Sequence, residues 1–270
     1  MNNMNLTEFD FVMKYFKIEI LEHDYIQLNN SWDYKDITSP FNRLYFPIEG
    51  TGIIKKNSQS TVLEKNYAYL IPANSTYDYF CENNLNKIYI HFKTSFIPGF
   101  DIFSELSEIL KLSFDETNTS SLIHCYNSNE LASKIKLKSI ILDVISSFIS
   151  KSNINFNKTY SHIIFLEPFL NYIEQHCSMN FNTDDMSKFF NITSSKLTRE
   201  FKKHLNKTPN QFVNHLIIEK SKQNLMFDSE TIKEIAYSFD FRDEYYFSRF
   251  FKKNVGVCPR TYRKNREIIL

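Results

Sequence analysis

Arginine follows a small hydroxyl residue twice in the last third of the chain, at Thr198-Arg199 and at Ser248-Arg249. A guanidinium group can donate two parallel hydrogen bonds to guanine, and a hydroxyl group can bond to a base or a phosphate. Two lysines begin three residues after each arginine, and such lysines can neutralise phosphates. These residue types and spacings predict contact with double-stranded DNA.

The two pairs belong to an internal repeat with an offset of 50 residues. The segment LTREFKKHLNKTP begins at Leu197, and the segment FSRFFKKNVGVCP begins at Phe247. Upstream, residues 186–187 correspond to residues 235–236, where the offset is one residue shorter. A repeat of this kind indicates a duplicated structural unit.

Capping residues predict that the first unit is a helix, a tight turn and a second helix. Thr183 is expected to cap a helix that runs to Phe190, and Thr193 or Ser194 caps the helix that follows. Asn191 falls in the turn, and asparagine tolerates the left-handed backbone that such turns often need.

The second unit repeats this arrangement. Thr231 and Glu234 have the spacing of a capping box at the start of its first helix. Asp240 falls in the turn, Asp243 caps the second helix, and Gly256 is a stop signal. In each unit the second helix is expected to lie in the major groove, because its N-terminal residues would reach the base edges.

A long helix is predicted between the two units, from Pro209 to about Leu225. At ~1.5 Å per residue this helix is about 25 Å long. Such a strut can hold two recognition helices about one DNA turn apart, roughly 34 Å. We expect them to enter successive major grooves on one face of the DNA.

The first part of the chain has a different pattern, in which short β-branched and aromatic segments alternate with turn signals. The clearest strands are predicted at Arg43–Ile48, Gly52–Lys56, Tyr67–Ile71 and Lys87–Phe92. We expect a small barrel or a sandwich over about residues 11–95.

Helical periodicity follows the barrel, over about residues 101–150. Asp101–Leu112 is one predicted helix and Glu130–Ser150 is a stronger one, with two apolar stripes. The first stripe consists of Leu131, Ile135, Leu142, Ile145 and Ile149, and the second of Leu137, Ile141, Val144 and Phe148. One stripe can pack on the barrel while the other contacts a second subunit, which would make the protein a homodimer; alternatively, both stripes are buried within one chain. Lys151–Lys158 is polar and aperiodic, and is predicted to be a linker.

Charge and composition exclude several classes of protein. Residues 161–270 contain 17 Lys and Arg against 13 Asp and Glu, whereas the chain as a whole has a formal charge of +1. None of the seven histidines forms an H-x-H pair, and no nucleotide-binding or nucleophile motif occurs in a fitting context. We therefore expect no metal, no cofactor and no enzymatic activity. Without a signal peptide or a long apolar stretch, we expect a cytoplasmic protein without membrane contact.

The C-terminal residues resemble the DNA-binding module of the AraC/XylS family of bacterial transcription regulators. The resemblance covers about residues 163–264 and is carried by IEKSKQNL from Ile218, TIKEIA from Thr231, FRDEYYFSRFFKK from Phe241 and GVCPRTYR from Gly256. The family usually has glycine at the positions of Asn191 and Asp240, arginine at that of Ile217 and leucine at that of Asn224.

The resemblance implies roles for individual residues. The implied base contacts are Ser194, Ser195, Thr198, Arg199, Glu244, Tyr245, Ser248 and Arg249. The implied phosphate contacts are Lys202, Lys203, Lys252, Lys253 and Arg260.

The N-terminal half is similar, more loosely, to the cupin-like effector domain of the same family. The similar segments are IEGTG from Ile48, YLIPANS from Tyr69 and IYIHF from Ile88. The resemblance implies a pocket for a small molecule at Glu49, Tyr77, Tyr79 and Tyr89. The family's sugar-binding members have arginine at the position of Glu49, so the resemblance does not imply that this chain binds the same sugar.

These observations predict a multidomain protein. Residues 1–155 form a cupin-like β-barrel with flanking helices, for effector binding and dimerisation through helix 130–150. Residues 163–270 form an all-α domain with two helix-turn-helix units joined by a long helix. The predicted function is sequence-specific regulation of transcription, with promoter DNA, RNA polymerase and a small-molecule effector as partners. The alternatives are a ligand-independent regulator, controlled by self-association or a partner protein, and an architectural DNA-binding protein.

Overall fold

A computed structural model describes residues 12–13, 15–97, 100–104, 106–152 and 156–264. The chain divides into two compact units. The N-terminal unit consists of residues 17–94 and 101–154, and the C-terminal unit consists of residues 1–16, 95–100 and 155–270. None of the helices in the described ranges has the length and apolar character needed to cross a membrane.

The strands form two antiparallel sheets. The first sheet has the order β1-β8-β3-β6-β10, with β9 paired to β8, and the second has the order β2-β7-β4-β5. The strands are β1 (Lys17–Asn29), β2 (Asp33–Thr38), β3 (Asn42–Gly50), β4 (Gly52–Lys56), β5 (Gln59–Leu63), β6 (Tyr67–Ile71), β7 (Thr76–Phe80), β8 (Asn84–Ile97), β9 (Phe100–Asp101) and β10 (Leu110–Ser113).

The four strands predicted most clearly are confirmed, but the predicted closed barrel is not. In the described residues the hydrogen-bonded ladders end at the edge strands β1 and β10 of one sheet and β2 and β5 of the other. The N-terminal unit is therefore a pair of sheets, and closure into a single barrel is not seen in these residues.

The predicted helix Asp101–Leu112 is wrong. Asp101 ends β9, and β10 pairs antiparallel with β6, which places Leu110 opposite Leu70 and Leu112 opposite Ala68. The alternation of Leu110 and Leu112 suits a strand. Pairing with β6, which is distant in the sequence, decides the structure of this segment.

Two helices complete the N-terminal unit, α1 (Glu116–Asn127) and α2 (Leu131–Lys151). Helix α2 confirms the prediction over residues 130–150. It buries Ile141, Val144, Ile145 and Phe148, so three members of one predicted stripe pack inside the unit, together with one residue of the other.

The C-terminal unit is helical over residues 156–264 except for short connections. Its helices are α3 (Phe156–Gln175), α4 (Thr183–Phe189), α5 (Ser194–Leu205), α6 (Pro209–Phe227), α7 (Ile232–Ser238), α8 (Glu244–Val255) and α9 (Pro259–Lys264). The linker predicted at Lys151–Lys158 is wrong at its end, because α3 begins at Phe156; residues 153–155 lie outside the described residues. A polar first turn is compatible with a helix, since the first N–H groups have no partner within the helix.

Most of the predicted caps are found. Thr193, Thr231 and Asp243 each accept a hydrogen bond from a backbone N–H in the first turn of their helix. Thr208, which was not predicted as a cap, does the same for α6. The exception is α4, which is capped by Asn182 and not by Thr183, because the Asn182 side chain accepts a bond from the backbone N–H of Asp184 at 2.8 Å.

We expect Thr231→Ala to lower the free energy of unfolding by about 1 kcal/mol. The Thr231 hydroxyl accepts from the Glu234 backbone N–H at 3.1 Å, while the Glu234 carboxylate accepts from the Thr231 N–H at 2.6 Å. The substitution leaves the Glu234 N–H without its side-chain acceptor. Urea unfolding of the full chain measures the loss, with Ser229→Ala, an exposed position before the cap, as the control. Equal midpoints for the two variants would show that the cap contributes nothing.

Candidate nucleic-acid interface

Helices α5 and α8 carry the two arginines and have the same pattern of burial. At each of the ten positions from 194 to 203 the exposure class equals that of the residue 50 places later. Leu197 and Phe201 are fully buried, as are their counterparts Phe247 and Phe251. The repeat seen in the sequence is therefore a repeat in structure, with one helix face inside the unit and the other in solvent.

Both recognition helices pack on the same hydrophobic core. The buried residues of α5 and α8 belong to one cluster with Phe212, Leu216 and Ile217 of α6. Ile217 is 0% exposed, so the position where the family usually has arginine is a core position here. The shared core ties both helices to the 19-residue strut, which at ~1.5 Å per residue is about 28 Å long.

The turns in front of the recognition helices have the predicted backbone. Asn191 has φ = 52° and Asp240 has φ = 58°, both in the left-handed region. Glycine avoids a steric cost there, and Asn and Asp tolerate the conformation better than other residues. At the entry to α8, the hydrogen bond from the Tyr246 backbone N–H holds the pKa of the Asp243 carboxyl below its usual range.

The structure brings most of the predicted DNA contacts onto the outer faces of α5, α8 and α9. The exposed members are Ser195, Arg199, Lys202, Lys203, Tyr245, Arg249, Lys252, Lys253 and Arg260. The half-buried members are Ser194, Thr198, Glu244 and Ser248.

Ser194 differs from the other predicted base contacts, because its hydroxyl bonds within the protein. It donates to the Asp184 carboxylate at 2.5 Å and lies 2.9 Å from the Ser187 hydroxyl. Both partners belong to α4, so these bonds join the two helices of the first unit. The geometry therefore favours a positioning role for Ser194.

Arg199 projects from the middle of α5 into solvent. Its side chain is 73% exposed, and its Nη2 lies 3.6 Å from Oε1 of the neighbouring Glu200. An exposed ion pair at this distance is weak and is readily exchanged for a stronger partner. The guanidinium group is therefore available to a base edge in the major groove.

The four residues of the predicted effector pocket do not all lie together. Tyr77, Tyr79 and Tyr89 are each 5% exposed or less. Burial raises the pKa of all three, that of Tyr77 to about 12. Glu49 is exposed and accepts a hydrogen bond from the Asn86 side chain at 3.2 Å. A register shift between Pro47 and Glu49 interrupts the alternation of β3 and accounts for the separation.

Three basic residues that were not predicted as site residues lie in the same interior. Arg43 pairs with His91 across β3 and β8, and Pro47 pairs with Lys87, so these side chains share one face of the first sheet. All three are buried, with exposures of 3% or less. Arg43 Nη1 donates to the Tyr79 hydroxyl of the second sheet at 2.6 Å, which shows that this face looks towards that sheet. The signal in the sequence was the alternation of basic or aromatic residues with isoleucine in β8, from Lys87 to His91.

Comparisons with known proteins agree with the geometry of the C-terminal unit. A family of helix-turn-helix domains matches residues 186–265. The chain is 27% identical to the HTH-type transcriptional activator Btr of Bacillus subtilis over 241 residues, which cover 83% of this chain and 44% of Btr. It is 34% identical to the HTH-type transcriptional regulator MtrA of Neisseria gonorrhoeae over 83 residues, which cover 31% of this chain and 28% of MtrA.

Among solved structures, one of ToxT from Vibrio cholerae aligns with 93% of this chain and 98% of its own, at 16% identity and a TM-score of 0.47. The chain spans less than half the length of the curated relatives Btr and MtrA.

Two capped helix pairs on a shared core, matched over residues 186–265, define a helix-turn-helix protein. The names of the relatives are those of transcriptional activators and regulators. Residues 186–265 therefore form a helix-turn-helix domain, and the chain is similar to transcriptional activators and regulators.

Proposed function

We propose that this protein is a sequence-specific regulator of transcription that binds promoter DNA through both helix-turn-helix units. A small molecule bound in the N-terminal unit controls it. The effector changes how paired DNA-binding modules are placed along the promoter and thereby changes their contact with RNA polymerase.

One observation carries the proposal, namely the equal burial of α5 and α8 at ten successive positions, 194–203 and 244–253. An amphipathic helix with a basic outer face is common, and alone it indicates only a solvated surface. Two such helices carry an arginine and a lysine pair at the same places on their exposed faces. Contact with solvent does not require the same pattern on both helices. Binding of the two helices in successive major grooves does require it, because each helix then meets the same arrangement of bases and phosphates.

Capture of genomic DNA fragments by the purified chain at moderate salt tests the proposal. We expect one recurring motif that spans about two DNA turns, because each module covers two adjacent grooves. Enrichment without a motif would contradict sequence-specific regulation and would favour the architectural alternative. Salt must be held constant, since phosphate contacts make affinity strongly dependent on ionic strength.

The outer face of α2 supports dimerisation. Leu131 is 76% exposed and Ile135 is 62% exposed, at the start of a stripe whose later member Ile145 is buried inside the N-terminal unit. These two residues are one helical turn apart and so form a continuous apolar patch. A second copy of the chain, presenting the same patch, would cover it in a two-fold symmetric contact.

We expect Ile135→Asp to convert a dimer into a monomer, because it places a carboxylate in the centre of the α2 contact. Sedimentation at several protein concentrations measures the change. Ser147→Asp adds the same charge at an exposed position twelve residues further along α2, on another side of the helix, and is the matched control. A wild-type chain that remains monomeric at all concentrations would rule out this interface.

The two sheets of the N-terminal unit are the candidate effector domain, and a cupin-like pocket between them is our interpretation of the family resemblance. The ligand-independent alternative has support too, because Tyr77, Tyr79 and Tyr89 occupy the interior with little exposure. A densely packed interior would leave control to self-association or to a partner protein. Titration with small molecules distinguishes a regulator that binds an effector from one that does not.

A further inference from the structure

Two strongly basic side chains are buried between the sheets of the N-terminal unit. Arg43 is 3% exposed and Lys87 is 2% exposed. They project from β3 and β8 on the face that carries Tyr45, Tyr89 and His91. Lys and Arg are almost never fully buried unless they are paired with an opposite charge.

No carboxylate lies within ion-pair distance of Arg43 or Lys87 in the described part of the chain. The acidic residue at this cluster is Glu22 of β1, whose Oε2 lies 3.1 Å from His91 Nδ1. Arg43 donates one bond to Tyr79, and its buried Nε has no hydrogen-bond partner. A guanidinium group has five N–H donors, so most of its capacity is unused in the contacts described.

Aromatic rings surround the ammonium group of Lys87. Its Nζ lies 3.4 Å from the centre of the Tyr45 ring and 4.4 Å from that of Trp32. The ring faces attract a cation but do not replace the hydrogen bonds lost with water. Burial lowers the pKa of Lys87 and of His91, and the charge of Arg43 lowers both further. A bound anion would accept hydrogen bonds from the buried cations, and its negative charge would offset both their burial and the repulsion from Arg43.

We propose that Arg43 and Lys87 bind a small organic anion, a carboxylate or a phosphate, whose apolar body packs against Trp32 and Tyr45. Arginine and lysine are the side chains that proteins use for both anions, and the guanidinium group can bind either one through two hydrogen bonds. The inference rests on the proposed control by a small molecule and assigns the chemical class of that effector. The anion supplies the charge that the described contacts of the two cations lack.

The single tryptophan of the chain reports on this site, because Trp32 lies against Lys87. Tryptophan fluorescence of the full chain is followed while benzoate, phenyl phosphate or benzamide is added. Benzoate carries a carboxylate, phenyl phosphate carries a phosphate, and benzamide is a neutral molecule with the same ring. We expect a saturable change with benzoate, phenyl phosphate or both, and none with benzamide. The anion that binds more tightly identifies the headgroup.

Lys87→Met removes the charge and keeps an unbranched side chain, and we expect it to weaken anion binding at least tenfold. Lys55→Met changes an exposed lysine of β4 and is expected to bind as the wild type does. Equal responses to benzamide and benzoate, equal affinities of wild type and Lys87→Met, or no saturable change with either anion would overturn the proposal.

The stability of the unliganded protein supplies a second readout that requires no probe. If the two cations serve a ligand, Lys87→Met and Arg43→Met unfold at the wild-type temperature or above it, because a buried charge without a partner has been removed. A large fall in the midpoint for both variants would mean that the cations hold the sheets together, and would overturn the proposal. Genomic DNA capture is independent of both readouts: a lost motif with intact anion binding rejects only the proposed function.

Discussion

Phe201→Ala is expected to lower the free energy of unfolding by about 3–5 kcal/mol and to abolish DNA binding by both helix-turn-helix units at 37 °C. Phe201 is 0% exposed, and its ring centre lies 6.3 Å from that of Phe169 in α3 and 6.0 Å from that of Phe212 in α6. Removing the ring leaves a cavity where three helices meet.

The loss of stability should extend to the second helix-turn-helix unit, because both helix-turn-helix units share one hydrophobic core. Phe251 is the counterpart of Phe201, and Phe251→Ala should have an effect of similar size, since its ring packs 5.4 Å from Tyr262 and 5.8 Å from Phe247. Urea unfolding followed by circular dichroism gives the free energies, and footprinting on the captured motif gives the occupancy of each half-site. Loss of one half-site with the other intact would show that the two units fold independently.

Phe189→Ala is the matched control for these substitutions. Phe189 also lies in a helix of the first unit and contacts Tyr172 and Phe190, but it is 70% exposed. Its removal creates little cavity, so we expect a change within about 1 kcal/mol.

The C-terminal unit could be predicted almost to the residue because its signals are local. Caps such as Thr231, turn residues such as Asp240, and stop signals such as Gly256 act on atoms within a few places in the sequence. The repeat gave an independent check at ten successive positions of α5 and α8. The exceptions are small shifts, such as the cap at Asn182, where two adjacent polar residues compete for the same N–H groups.

The N-terminal unit could be predicted only in part because its structure depends on pairing between distant strands. The segment from Asp101 to Leu112 has apolar spacing that suits a helix, and only its pairing with β6 makes its end a strand. The basic face of Arg43, Lys87 and His91 appears only when β3 and β8 are aligned. His91 seemed isolated in the sequence, yet it lies opposite Arg43 in the sheet.

The second large effect is expected on DNA binding, when the arginines that face the base edges are replaced. Arg199→Ala and Arg249→Ala should each weaken binding to the captured motif by about 1–3 kcal/mol and relax the preference at one base position. Both side chains are exposed near the middle of their helices, with no role in the core. Competition between the motif and single-base variants, measured by fluorescence anisotropy, gives the preference at each position.

Lys202→Ala separates recognition of bases from attraction to phosphates. Lys202 is exposed one turn after Arg199 on α5, so both variants remove one positive charge from the same helix. The lysine variant should weaken binding to motif and random DNA alike, and should reduce the slope of log affinity against log salt by about 1. The arginine variants should instead reduce the ratio of specific to random binding. If arginine and lysine variants lowered both affinities equally, Arg199 and Arg249 would contribute charge alone, and sequence preference would have to come from the half-buried Thr198 and Ser248 or from the shape of the DNA.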